Sequence, residues 1–204
     1  MWRGYDTPVT SRRQFLQIGL SATAWPMVAR AAHATGVAPH PGTPLLGVVY
    51  DTRFAESVAF GARSAALGLP AHAIAGNMTH LWYDEIYHRW QHSPTALAGL
   101  TAHGPMFCFA ELARDVGMRV VFRAEHRPTA GGDIAHSFTG PVHMLSTALD
   151  ACRRPESLWS AMADVVAGCP SGRTEIGSAG RTVGSAPPDA ATLYTWVIAP
   201  AVKA

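Results

Sequence analysis

From Leu45 onward, short unbroken apolar runs alternate with stripes of helical period. Leu45-Leu46-Gly47-Val48-Val49-Tyr50 closes at Asp51, the pattern of a strand buried on both faces. Phe54 to Leu67 then reads as a helix, with Phe54, Val58, Ala62 and Ala65 on one face and Gly68 to end it. Ala71 to Ala75 reads as a weaker second strand closed by Gly76-Asn77, and Thr79 to Gln91 as an aromatic helix. Ala96 to Leu100 supplies a third strand. Pro105 to Val116 is the clearest helix, its stripe Cys108, Phe109, Leu112, Ala113 and Val116 opposing Glu111, Arg114 and Asp115. Pro105 suits a first helical turn and Gly117 a helix end. Met118 to Phe122 follows as a fourth strand. Strands alternating with helices predict crossover units and a mostly parallel sheet, hence an α/β three-layer sandwich, Rossmann-like or flavodoxin-like. The first strand-to-helix turn, Asp51-Thr52-Arg53, lacks the dinucleotide glycine fingerprint.

The last third changes character. Val142, Leu145, Leu149 and Cys152 form one helical stripe, and Leu158, Trp159, Met162, Val165 and Val166 another. Arg153-Arg154-Pro155 joins them, which predicts a C-terminal helical hairpin. Such a hairpin would keep Cys152, beside the turn, from pairing with Cys169 at the far end of the second helix. Ser171 to Ala190, rich in Gly, Ser and Pro, reads as a loop, and Leu193 to Ala199 as a last strand. Residues 35–44 form a Pro/Gly-rich tether and 45–204 a single domain.

Composition narrows the function classes. The chain has 204 residues, 48% hydrophobic and 15% charged, too apolar for disorder, and no apolar run is long enough for a bilayer span. Of 16 basic residues, Arg3, Arg12, Arg13 and Arg30 precede Thr35, as does one of 14 acidic residues, Asp6. The remainder is balanced, so no basic patch argues for nucleic acid. The only lysine is Lys203 at the C-terminus, which leaves little room for Schiff-base chemistry.

Ser11-Arg12-Arg13-Gln14-Phe15-Leu16 is followed by a mildly apolar stretch from Ile18 to Val28, then Arg30 and the small-residue site Ala32-His33-Ala34. This leader resembles a twin-arginine (Tat) export signal, with Arg12, Arg13, Phe15 and Leu16 as its motif and cleavage after Ala34. The resemblance implies recognition by the Tat translocase and delivery to the periplasm in folded form, without a stable membrane span once the leader is removed. Substrates of that route often take up a cofactor or a redox partner before export, although the sequence names no cofactor.

If the strands are parallel, their carboxyl ends form one ligand-binding edge. That rule selects Asp51 and Arg53 after the first strand and Asn77 after the second. After the third it selects Thr101, His103 and Gly104, and after the fourth Glu125 and His126. His103 and Glu125 are expected on one rim, and the helix opened by Gly104-Pro105 could offer its free N–H groups to an anion. His88 and His92, four apart, share a helical face with Asp84 and make a weak metal candidate. The crowding of Trp82, Tyr83, Tyr87 and Trp90 favours an exposed aromatic helix instead. Cys108 reads as an inert core thiol, and His136 and His143 as structural or exposed positions. No serine-nucleophile elbow, P-loop or haem-attachment motif is present.

Two functions fit. One is a small ligand-binding or accessory partner of an exported oxidoreductase. The other is a small periplasmic enzyme using Asp51, His103, Glu125 and His126, with or without a metal.

Overall fold

The computed structural model describes residues 44–168, 175–186 and 189–201. The leader motif, the tether to Thr43 and Cys169 lie outside these, and with them the cleavage-site and Cys152–Cys169 expectations.

Seven strands form one sheet: β1 (Leu45–Asp51), β2 (Ala71–Ile74), β3 (Ala96–Thr101), β4 (Met118–Pro128), β5 (Ile134–Pro141), β6 (Ile176–Val183) and β7 (Leu193–Pro200). Their spatial order is β2-β1-β3-β7-β4-β5-β6. Only the β1–β2 and β1–β3 pairs are parallel, and the other four pairs are antiparallel. The expectation of a mostly parallel Rossmann-like or flavodoxin-like sandwich is therefore corrected. The crossover pattern holds only up to β3.

Three local causes break it. The strand begun at Met118 runs on, through an irregularity between Val120 and Phe122, to Pro128, so β4 is about twice the expected length. The chain then reverses through Thr129–Asp133, where Gly132 adopts φ 83° and Thr129 N–H donates to the Asp133 carbonyl at 2.8 Å. Antiparallel β5 follows, and β6 forms within the segment expected to be a loop. Finally β7 inserts, antiparallel, between β3 and β4. Its run Leu193-Tyr194-Thr195-Trp196-Val197-Ile198-Ala199 is buried throughout, as a central strand requires.

Helices cover the sheet unequally. On one face lie α1 (Ala55–Ala66), α4 (Val142–Ala151) and α5 (Leu158–Ala167), burying Phe60, Met144, Leu145, Ala148, Met162 and Val166 over Val48, Leu100, Phe122 and Val197. On the other lie α2, spanning 79–92, and α3 (His103–Arg114). Ile86, Trp90, Phe109 and Ala113 pack there on Val49, Leu97, Trp196 and Ile198. The middle of α2, Trp82–Ile86, is a π-helical turn, a form found mostly as a single turn inside an α-helix. Gly99 lies beneath the Trp196 indole, and a Cβ there would also fall 2.8 Å from the Val49 carbonyl, so only glycine lets these strands carry that ring.

Cys108 corrects another expectation. It is exposed, because the buried stripe of α3 runs through Pro105, Met106, Phe109 and Ala113.

Candidate functional site

The strand-end residues separate into three groups. The first is built into turns. Asp51 is fully buried, and Arg53 returns over it, with Nε at 2.9 Å from Oδ1 and Nη2 at 2.6 Å from Oδ2. The same guanidinium covers Gly76 and stacks on Phe54. Asn77 Oδ1 accepts from Thr79 N–H at 2.8 Å, in the turn that leads into α2. Thr101 Oγ1 accepts from Trp196 Nε1 at 3.1 Å and donates to the Ala102 carbonyl at 3.0 Å. These polar groups satisfy the backbone and one another.

The second group is the buried imidazole pair. His126 was expected on the rim but lies inside the sheet, on the face covered by α4 and α5. The tight turn at 129–133 places His136 directly opposite it across β4 and β5. Their Nδ1 atoms are 2.7 Å apart, and His126 Nε2 is 2.9 Å from Thr195 Oγ1. Trp159 meets the His126 ring edge-on at 5.1 Å, and Phe138 stacks on His136. One Nδ1 must carry the shared proton and the other must be bare. Burial lowers His126 well below the usual imidazole range, and any charge on His136 lowers it further. Burial also lowers His136, to about 4. His136 Nε2 is buried without a hydrogen-bond partner among the described residues. The sequence did carry a signal for this pair. Positions 126 and 136 are equidistant from Gly131, and once Gly131-Gly132 is read as a hairpin turn they become cross-strand neighbours.

The third group is at the surface, on the opposite face of the sheet. Thr101 on β3 and Glu125 on β4 both lie level with Tyr194 on the intervening β7. Glu125 therefore lies inside a strand rather than in a turn, yet at the same end of the sheet as His103. The His103 ring stacks on Phe107 at 5.8 Å and meets Tyr194 edge-on at 5.5 Å. From the other side the Arg123 guanidinium lies 5.1 Å over the Tyr194 ring, and its Nη2 is 3.4 Å from Glu125 Oε2. Phe107 is 51% exposed, so the outer part of its ring is open to solvent. Gly104, beside His103, has open space around its Cα, and the α3 N-terminus has no side-chain cap. The outcome is a ledge with an aromatic centre, one guanidinium and one carboxylate, suited to binding by stacking and hydrogen bonding.

The α2 histidines do not converge. His88 and His92 are exposed, and His92 Nδ1–H donates to the His88 carbonyl at 2.8 Å. His80 is 3.8 Å from Asp84, and His72 is 3.3 Å from Glu85, along an open groove of about 340 Å³. Among the described residues no three His, Cys, Asp or Glu side chains are grouped to hold a metal, and no helix is long and apolar enough to cross a membrane. His143 is exposed. Compared with protein-family models, curated proteins and solved structures, the chain matches none of them.

Proposed function

We propose that the chain is exported to the periplasm by the Tat translocase and acts there as a binding or accessory partner of an exported oxidoreductase, docking through the His103–Phe107–Tyr194–Arg123 ledge. The export half rests on the order of Arg12-Arg13, the apolar stretch and Ala32-His33-Ala34. The binding half rests on one observation: a half-exposed Phe107 stacked on His103 beside an arginine-covered tyrosine. Aromatic and arginine side chains of this kind dominate the energetics of protein interfaces. The enzymatic alternative needs Asp51, His103, Glu125 and His126 to meet at one reacting atom. Asp51 is enclosed by Arg53, and His126 lies across the sheet from Glu125.

Export is tested by replacing Arg12 and Arg13 with lysine and following the protein in periplasmic fractions, where it should vanish. Undiminished export would end that half. Docking is tested by tagging the chain at its chromosomal locus and identifying what co-elutes under native conditions. An oxidoreductase subunit should co-elute with the wild type and be lost with Phe107→Ser. A wild-type protein eluting alone, or an association that survives Phe107→Ser and Arg123→Ala together, would overturn the reading.

A further inference from the structure

The two edges of the sheet are unlike. The β2 edge is four residues long and follows Pro70, so it offers little backbone to a stranger. The β6 edge runs eight residues, Ile176 to Val183, in unbroken one-to-one register with β5. It contains no proline, lysine or bulge, and no described element pairs with its outer side. Every second residue of such a strand turns its N–H and C=O outward, unpaired. Natural edges of this length are normally blunted or occupied.

We infer that β6 pairs antiparallel with β6 of a second copy of this chain, about a two-fold axis at Ala179, making one continuous sheet across a dimer. The occupant follows from the residues. A two-fold axis normal to the sheet keeps the helix-covered faces on the same side, and opposed residues must share a face. Arg181, Ala179 and Gly177 all lie on the face of α4 and α5, since Arg181 pairs with His136 and Gly177 abuts Leu145. With Ala179 on the axis, Arg181 lies opposite Gly177 of the second copy, where no side chain obstructs it. Exposed Glu175, its carbonyl fixed by Val142 N–H at 3.0 Å, is the next residue on that face and becomes the diagonal neighbour of Arg181 in the other copy. The two-fold repeats this opposite-charge pair and keeps the two Arg181 side chains four residues apart along the edge. Ile176, 60% exposed, is opposite Thr182, an apolar and β-branched contact that the single chain lacks. An edge peptide from an unrelated partner would find no such match built in.

Sedimentation analysis of the purified full chain at 1 to about 100 µM should show a reversible dimer. Glu175→Arg and Arg181→Glu should each weaken it about tenfold or more, and the double reversal should restore it. Hydrogen exchange on the wild type needs no variant: β6 amides should exchange more slowly at the higher concentration. A monomer throughout, with β6 exchange independent of concentration, would overturn the proposal. So would a dimer indifferent to either reversal, or one that the double variant fails to restore.

Discussion

The sheet has two halves that differ in what covers them. In β2-β1-β3-β7, helices lie on both faces, and the strands are apolar on both sides. In β4-β5-β6, α4 and α5 cover one face, while Arg123, Arg127, Ser137, Thr139, Ser178 and Thr182 leave the other open to water. The first half holds the chain together by burial. The second carries the unusual chemistry: a neutral imidazole pair beneath the covered face, and an aromatic ledge where α3 gives way to open sheet. At the boundary, polar side chains reach solvent while still anchored to a rigid sheet.

Substitutions at five positions should grade this difference. Trp196→Ala, in the doubly covered half, removes a fully buried indole over Gly99 and should cost about 3–5 kcal/mol. Chemical denaturation measures it, and a loss below 1 kcal/mol would mean that this half does not carry the stability.

The histidine pair comes next. His126→Leu should cost about 2–4 kcal/mol, because it strands His136 Nδ1 and the Thr195 hydroxyl together. His126→Leu with His136→Leu should be milder than the single change, since only the Thr195 hydroxyl is then left unsatisfied. Both imidazoles bind protons more readily unfolded than folded. Stability should therefore be full above pH 6.5 and fall as pH drops from there towards about 4, where His136 itself charges. The slope is about 1.4 kcal/mol per pH unit for each imidazole. Melting curves across that range should lose most of this dependence in the double variant. An unchanged slope would place the proton uptake elsewhere.

A smaller effect belongs to the turn. Arg53→Ala leaves the buried Asp51 carboxylate without its guanidinium and should cost about 1–3 kcal/mol, moderated because Arg53 is half exposed. Arg53→Lys should recover only part of this, since one ammonium cannot make both bonds. Equal stability of Arg53→Ala and the wild type would show that Asp51 draws nothing from the pair.

Smallest of all should be Ser137→Ala, within about 0.5 kcal/mol, because its side chain stands on the open face. A loss above 1 kcal/mol would reveal a partner on that face, and repeating the melt at several protein concentrations would show whether that partner is a second copy.

Some of this architecture is legible along the chain. The continuous run 45–50, the helical stripe expected over Pro105–Val116 and the apolar segment 193–199 are local patterns; both strands lie there, and the helix lies two residues earlier, at His103–Arg114. Other features are hidden by composition. Ile176 to Val183 carries Gly177, Ser178 and Gly180, residues that read as loop, and becomes a strand only because β5 presents a complementary edge. Cys108 illustrates a smaller error of phase: the helix starts at His103, and its rotation turns the thiol outward.

The sequence by itself determined the elements whose signal is local: the apolar period of a buried strand, the stripe of a helix and the glycines that close turns. Only the tertiary structure decided which strands became neighbours. β7, last in the chain, lies between β3 and β4, and that insertion turned the sheet mostly antiparallel. It also set Tyr194 between His103 and Arg123, and Thr195 beside His126. The physical reason is that strand pairing is a contact between segments far apart in sequence. Period and composition report which faces must be buried, and the same apolar faces can be buried by more than one strand order.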